Sequence, residues 1–249
     1  MSPRAVAAAT GGVVLVAVLA AVIAGGALAT KPRGLPAAGQ QLVVPAPAGG
    51  AAPAAPAAIS DRAIVSAAWV RQSAVHTGIP EAAVRAYGAA QLQVADDCNI
   101  GWTTLAGIGW VESQHGTMGE RLLLADGHSS RPILGPALDG AGKFAAVRAT
   151  ADSALLHDDA QWDHAVGPLQ FITSTWVKWA TDGDRDGRSD PYDIDDAALA
   201  AAHYLCASGA DFTTGEGWSR AVFSYNHAES YVRAVNVAAA TYADRARQG

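Results

Sequence analysis

The sequence predicts a mainly α-helical domain that follows an N-terminal apolar segment and a disordered linker. Three observations lead to this prediction. Apolar residues recur at helical spacing from about residue 60 onward. Alternating strand patterns are confined to short stretches within 121–160, and all seven tryptophans lie beyond residue 68. We therefore expect residues 59–249 to form the folded domain.

The N-terminal segment is an uncharged, apolar run over residues 5–30, with Arg4 before it and Lys31 after it. As a helix it would be about 39 Å long, which is enough to span a bilayer. The run ends in Ala27-Leu28-Ala29, a pattern that signal peptidase accepts. A signal peptide and an uncleaved membrane anchor, both within residues 1–30, therefore stay open. Either one predicts export, with membrane contact only if the segment is retained.

The predicted linker covers residues 31–58 and consists mostly of Pro, Ala and Gly. Such a composition buries too little apolar surface to offset the entropy of ordering. We expect a semi-extended tether that lets the domain search a nearby polymer.

Charge and cysteine content exclude several classes of function. The net charge of −6 gives no basic surface of the kind that binds nucleic acid. We expect the protein to be a monomer. Cys98 and Cys206 are too few for a zinc site without nearby histidines. In an exported chain they predict a disulfide, worth roughly 4–5 kcal/mol in the chain-entropy model. Two buried free thiols are the alternative.

Helix boundaries follow from capping residues and apolar spacing. Ser60 is expected to cap a first helix that buries Ile64, Ala67, Ala68 and Val75, and Pro80 to open a second. The later predictions are a helix capped by Asn99, one from Asp193 or Asp195 to Gly209, one near Gly217–Tyr225, and a last one near Ser230–Arg245. Residues 121–160 are predicted to be mostly loop.

The helix after Asn99 contains one acidic residue, Glu112, in an unusual position. At about 100° per residue, Glu112 shares an apolar stripe with Leu105, Ile108 and Val111. Gly116 is the predicted end of this helix, which puts Glu112 near the negative end of the helix dipole. Burial and the dipole both raise the pKa of a carboxyl, as a general acid near neutral pH requires. The alternative is an exposed glutamate that reaches solvent or a basic residue.

Four short motifs follow one another along the chain: Glu112-Ser113, Gly167-Pro168-Leu169-Gln170-Phe171, an Asp-rich loop from Asp182, and Ser224-Tyr225-Asn226. In this order the chain resembles the lytic murein transglycosylases, specifically the membrane-bound B-type branch, from about residue 79 to 235. Further matching stretches are Leu134–Pro136, Leu138–Gly140, Trp162–Asp163, Thr173–Trp176 and Asp195–Ala201.

The resemblance implies a lysozyme-like α fold and cleavage of the β-1,4 bond between N-acetylmuramic acid and N-acetylglucosamine in peptidoglycan. Glu112 matches the family's single acid and base, which acts without a cofactor and leaves a 1,6-anhydro end. A muramidase that uses water at the same bond is one alternative. A peptidoglycan-binding module without activity is another.

The resemblance also implies which residues contact the sugar. Gln170 and Asn226 match positions that line the cleft, where their amides hold the acetamido group and hydroxyls. Gly167 would let the backbone approach the sugar. Tyr225 either holds Glu112 or packs, and Ser113 lies beside Glu112 in a supporting position. His115, one turn from Val111, is expected to be exposed, and a histidine that titrates near the cleft is the alternative.

The Asp-rich loop fits the pattern of an EF-hand calcium loop. Gly187 occupies its sharp turn, and Asp193 stands at the last position in place of the usual Glu. We expect a structural Ca²⁺ site, or alternatively a turn satisfied by its own backbone and arginines. The predicted ligands are Asp182, Asp184, Asp186, the Arg188 carbonyl, Asp190 and Asp193.

Overall fold

The computed structural model describes residues 44–47, 65–142 and 145–248, and within these ranges the chain is mainly helical, as predicted. The predicted signal or anchor segment, most of the predicted linker, and Ser60 with Ile64 lie outside the described residues. Among the helices that are described, none combines the length and the apolar character that crossing a membrane requires.

Eight helices and one two-stranded hairpin make up the described part of the domain. They are α1 (Ala67–Thr77), α2 (Glu81–Gln93), α3 (Trp102–Ser113), α4 (Ala151–Ala154), β1 (Ala165–Val166), β2 (Phe171–Ile172), α5 (Thr173–Trp179), α6 (Ile194–Cys206), α7 (Gly215–Tyr225) and α8 (Glu229–Arg247).

Helix α3 lies at the centre and is enclosed by α2, α6 and α8. It is buried nearly all round, and Trp110 is its one clearly exposed side chain. Leu105, Ile108 and Glu112 of the predicted stripe are buried, and so are most residues on the other faces, because a central helix meets protein on every side. At Gly107 an added Cβ would lie 2.8 Å from the Val235 carbonyl oxygen, so glycine is what allows α8 to cross this closely.

Several helix ends differ from the predictions. Helix α3 begins after Gly101 and not at Asn99, and the backbone N–H of Trp102 donates to the Gln91 side chain (2.7 Å). In α1 the inward residues are Val70, Ser73 and Thr77, whereas Val75 is 79% exposed, contrary to the expected stripe. The predicted cap at Asp193 is present, since its carboxylate accepts the N–H of Asp195 (2.8 Å).

The region 121–160 is mostly loop, as predicted, and it leads into the β1–β2 hairpin. The strands pair antiparallel, with Ala165 opposite Ile172. Asp163, which is fully buried, anchors the hairpin by accepting the N–H groups of His164 (2.8 Å) and Ser174 (3.0 Å). The loop that the hairpin presents is therefore held at its base.

Cys98 and Cys206 form a disulfide, which confirms the prediction. It joins the segment after α2 to the last residue of α6, with the two Cα atoms 5.6 Å apart. The cross-link thus ties together two of the helices that enclose α3.

Four residues of the predicted linker lie against the domain. The N–H of Val44 donates to Ser219 Oγ on α7 (3.0 Å), and Asn236 Nδ2 on α8 donates to the Pro45 carbonyl (2.8 Å). This stretch, 44–47, is extended and packs on the core, so this part of the tether does not hang free.

Candidate active site

Glu112 lies in the last turn of α3 with 7% of its surface exposed. Tyr231 on α8 donates a hydrogen bond from its hydroxyl to Glu112 Oε1 at 2.6 Å. Because α3 is central, the carboxyl is surrounded by protein on a helix that cannot shift without moving its neighbours. The acid is therefore held in one place by packing and by one neutral donor.

Burial raises the pKa of Glu112 to about 8, and the Tyr231 hydrogen bond acts in the opposite direction because it stabilises the carboxylate. The carboxyl is consequently protonated at neutral pH. The predicted direction of the shift agrees with the structure, and burial is its largest cause. An acid with this pKa donates a proton near neutral pH and can recover one once ionised.

Ser113 connects α3 to the hairpin loop. Its hydroxyl donates to the Pro168 carbonyl (2.5 Å) and accepts the N–H of Gly116 (2.7 Å). The loop that contains Gly167 and Gln170 is thereby fixed beside the end of α3.

Gln170 and Gly167 form the tip of this loop. Gln170 is 8% exposed, with φ at +49°, and its Nε2 donates to the Gly167 carbonyl (3.0 Å). Gly167 has φ of +74°, and an added Cβ would collide with the Pro191 carbonyl oxygen. The structure thus gives Gly167 a different reason from the predicted one, because it makes room for the backbone at Pro191.

Tyr225 packs and does not hold Glu112. Its hydroxyl donates to the Leu169 carbonyl (2.9 Å), and its ring is stacked on Tyr231 with centroids 6.4 Å apart. The adjacent Asn226 is 4% exposed, and its Oδ1 is a buried atom with no hydrogen-bond partner among the described residues. A buried acceptor of this kind is available to a donor on a ligand.

Glu112 and Tyr225 are therefore connected through Tyr231, and Ser113 and Tyr225 both bond to the loop that contains Gln170; Asn226 directly follows Tyr225. The sequence analysis missed Tyr231. Tyr231 lies five positions after Asn226, and no periodicity in the sequence indicates that the Tyr231 hydroxyl reaches Glu112.

The Asp-rich loop brings together a different set of carboxylates from the one predicted. One oxygen from each of Asp182, Asp184 and Asp196 lies within 4.8 Å of the other two. Both oxygens of Asp196 also accept backbone N–H groups, from Gly183 (2.6 Å) and Asp190 (2.8 Å). These three residues could hold a divalent cation, and oxygen ligands of this kind suit calcium.

The other predicted carboxylate ligands, Asp186, Asp190 and Asp193, lie outside this group of three. Asp193, the expected last ligand, caps α6 with one carboxylate oxygen, and its other oxygen lies 3.8 Å from His128 Nδ1. Asp186 accepts the N–H of Arg188 (2.8 Å), and Asp190 accepts that of Tyr192 (2.8 Å). Asp196, three residues beyond Asp193, takes the place in the cluster.

The start of α6 is crowded with acids. Burial, followed by neighbouring carboxylates, raises the pKa of Asp193 to about 7 and that of Asp196 to about 6. Asp195 pairs with Arg85 at 2.6 Å, which opposes the effect of burial on the Asp195 pKa. A bound cation would stabilise the ionised forms and lower the pKa values of its ligands.

His115 is 2% exposed, so the predicted exposed position is wrong. The chain turns left-handed after α3, with φ of +54° at Gln114, +59° at His115 and +83° at Gly116. This turn directs the imidazole inward, where its nitrogens meet two tyrosine hydroxyls.

Residues 147–237 match the family model of the transglycosylase SLT domain. The matched segment, less than half of the chain, contains the Gly167–Gln170 loop, the acidic cluster and Tyr225 with Asn226. Glu112 lies before it and is joined to it by the Ser113 and Tyr231 hydrogen bonds.

Two solved proteins are similar at low identity. One is SltB3 from Pseudomonas aeruginosa in complex with NAG-anhNAM-pentapeptide (15% identity, TM-score 0.42), where the match covers 70% of this chain and 63% of that one. The other is the Escherichia coli lytic transglycosylase Slt35 in complex with bulgecin A (16%, 0.38), with 71% and 78% covered. The structure of Slt35 in complex with calcium has 16% identity and a TM-score of 0.39, and the match covers 71% of this chain and 78% of that one. No curated protein matches the sequence.

Proposed function

We propose that the protein is a peptidoglycan lytic transglycosylase of lysozyme-like fold, with Glu112 as its single acid and base. The observation that carries this proposal is a buried carboxyl with a pKa of about 8 beside an amide-bearing loop. The family match over residues 147–237 supports the same chemistry.

In the first step, protonated Glu112 donates its proton to the oxygen of the glycosidic bond between N-acetylmuramic acid and N-acetylglucosamine. The C1–O bond breaks, and the substrate's own acetamido oxygen stabilises the positive charge at C1. Glu112 is left as a carboxylate, and Tyr231 donates its hydrogen bond to that negative charge.

In the second step, the Glu112 carboxylate takes the proton from the C6 hydroxyl of the muramyl residue. The C6 oxygen then bonds to C1 and closes a 1,6-anhydro ring. The proton returns to Glu112, so the reaction consumes no water and needs no cofactor.

The amides of Gln170 and Asn226 would orient the sugar. The unpartnered Oδ1 of Asn226 accepts a hydrogen bond, which suits the N–H of an acetamido group. Gln170 forms one bond within its own loop through Nε2. This proposal gives each amide a polar contact and leaves proton transfer to Glu112.

Digestion of purified sacculi, followed by mass spectrometry, tests the activity. We expect anhydromuramyl ends, which are about 18 Da lighter than reducing ends because no water is added. Reducing ends would identify a muramidase. The absence of any released fragment, together with retained binding to sacculi, would identify a binding module.

The acidic cluster is, in this proposal, a structural calcium site formed by Asp182, Asp184 and Asp196. It lies at the start of α6, and Gly183 and Asp190 are already bonded to Asp196. The cation would fasten the loop to α6 and take no part in the chemistry at Glu112.

We further propose that the protein is exported and that residues 1–30, if they are retained, anchor it in the membrane. It would then belong to the membrane-bound B-type branch. Its partner would be the glycan strand of the cell wall. Sizing the mature protein by mass spectrometry, and asking whether it sediments with membranes, distinguishes an anchor from a cleaved signal.

A further inference from the structure

A buried polar triad lies next to the C-terminal end of α3, the helix that contains Glu112. Tyr87 Oη is 3.0 Å from Nδ1 of His115, and Tyr242 Oη is 2.9 Å from its Nε2. Tyr87 belongs to α2 and Tyr242 to α8, so the imidazole joins three parts of the fold. The chemistry proposed for Glu112 uses none of these groups.

We propose that His115 is a positioning residue: the Tyr87–His115–Tyr242 triad holds the left-handed turn after α3 and thereby fixes Glu112 against the Gly167–Gln170 loop. The inference rests on the proposed function and assigns a new residue to the same site.

The turn needs such a support because of its backbone. Two of its three left-handed residues, Gln114 and His115, carry a Cβ, and side chains disfavour this conformation. Strained backbone persists where the surroundings determine it. The His115 N–H donates to the Gly109 carbonyl (2.8 Å), and the ring adds one bond on each side.

The turn is mechanically connected to the acid. Its last residue, Gly116, donates to Ser113 Oγ, and the same hydroxyl donates to the Pro168 carbonyl. Ser113 follows Glu112 directly. A shift of the turn would therefore change the distance between Glu112 and the loop that contains Gln170.

Two further features fit this role. Tyr231 and Tyr242 are eleven residues apart on α8, close to three full turns, so one face of this helix holds both the carboxyl and the imidazole. At Gly109 an added Cβ would collide with the Tyr87 hydroxyl, so the glycine leaves the space through which that hydroxyl reaches His115.

The triad stays uncharged throughout the pH range of an assay. Burial lowers the pKa of His115 to about 3 and raises the pKa values of Tyr87 and Tyr242, while Arg245 opposes the shift at Tyr242. One hydroxyl then donates to the ring and the other accepts its N–H. The titratable groups that face Glu112 are Tyr225 and Tyr231, whose pKa values are also raised. The pH profile of turnover therefore reports Glu112.

Four variants distinguish the hydrogen bond between His115 and Tyr87 from the one between His115 and Tyr242. His115→Phe removes both bonds, and Tyr242→Phe removes only the Tyr242 hydroxyl. His115→Asn keeps a polar group near the position of Nδ1 for Tyr87, and His115→Gln keeps a polar group near the position of Nε2 for Tyr242. With the turn loosened, water reaches Glu112 and its pKa falls. We expect His115→Phe to lower kcat by about 10²-fold, with KM nearly unchanged and the alkaline limb of the kcat profile about one pH unit lower. Tyr242→Phe and the two amide variants should lie between His115→Phe and wild type.

Thr104→Val is the matched control, because it removes the bond from Trp218 Nε1 (3.0 Å) at the opposite end of α3. It should lower Tm and leave the alkaline limb in place. If His115→Phe and Tyr242→Phe behave like Thr104→Val, the triad is structural only and the inference is wrong. Should His115→Phe not fold, Tyr242→Phe decides the matter. NMR titration of the Glu112 carboxyl in the same variants gives the answer even if wild type releases no murein fragments.

Discussion

Two buried acidic regions in the described part of the chain raise carboxyl pKa values in different ways. Glu112 is alone on a central helix, with one neutral donor, and burial is the cause of its raised pKa. Asp193 and Asp196 stand among other carboxylates, and several backbone N–H groups already stabilise their ionised forms. The first arrangement keeps a proton at neutral pH, whereas the second gathers negative charge that a cation can neutralise.

The comparison shows that burial alone does not identify a catalytic acid. Asp163 is more deeply buried than Glu112, yet backbone N–H groups satisfy its carboxylate and it anchors a hairpin. What distinguishes Glu112 is that its one hydrogen-bond partner is an uncharged hydroxyl, that of Tyr231. Each of the following predictions tests one side of this contrast.

The largest expected effect is on turnover in Glu112→Gln. The amide cannot donate an acidic proton, so the release of anhydromuropeptides should fall by about 10²-fold to 10⁴-fold or more, while binding to sacculi is retained. Asp193→Asn is the matched control, since it removes a buried carboxyl from the other region. Turnover by Glu112→Gln at the wild-type rate would show that another group is the acid.

Tyr231→Phe should have the next largest effect. The hydroxyl lowers the pKa of Glu112, so its removal raises that pKa further and moves the alkaline limb of the kcat profile to higher pH. The loss of orientation should reduce kcat about 10-fold. The limb moves in the opposite direction in His115→Phe, so the two variants separate the hydrogen bond from water exclusion. An unchanged limb in Tyr231→Phe would contradict the role of this hydroxyl.

Stability should respond to Glu112→Gln with a definite sign. The folded pKa of about 8 lies above the ordinary value of 4.5, so the folded state binds this proton more tightly. The resulting stabilisation is complete below pH 4.5 and is lost as the pH rises through 8. Glu112→Gln should therefore have a Tm several degrees above wild type at pH 8.5, where each kcal/mol is about 2–4 °C.

At pH 4 the same substitution should be nearly neutral, because Glu112 is then protonated in both the folded and the unfolded state. Differential scanning calorimetry at the two pH values makes the comparison. A lower Tm for Glu112→Gln at pH 8.5 would mean that the pKa of Glu112 is not raised above its ordinary value in the folded protein.

The smallest expected effect concerns calcium. Calcium should raise the Tm of wild type by about 3 °C or more at roughly ten times its Kd, and by less at pH 5, because Asp196 with a pKa of about 6 must lose its proton to bind. Asp196→Asn should abolish the shift. Asp193→Ala should lower Tm through loss of the cap but keep the calcium shift. If both variants lost the calcium-dependent rise in Tm to the same extent, Asp193 would also be a ligand, as the EF-hand pattern predicts.

Much of the fold could be predicted because local patterns determine it. Helix α7 ends at Tyr225 as expected, Asp193 is a cap, and the cysteines pair across α2 and α6. Periodicity failed for α1, where Val75 is exposed, and for α3 it predicted only one of the buried faces, because α3 is buried on every side.

The site was harder to predict than the fold. Glu112 and the motif residues come from spacing along the chain, but Tyr231, His115 and Asp196 act through contacts between distant elements. An acidic residue in the first turn of a helix, such as Asp196, is ordinarily explained by the helix dipole. The left-handed turn that buries His115 depends on Tyr87 and Tyr242, which lie 28 and 127 residues away.

Titration of the Glu112 carboxyl tests the central claim most directly. Carbon-13 NMR of glutamate-labelled protein, with the signal assigned by its absence in Glu112→Gln, gives the pKa of this one group. We predict a midpoint of about 8, as burial in the last turn of α3 requires. A midpoint near 4.5 would show that the carboxyl is hydrated and ionised at neutral pH, which would contradict its role as the acid.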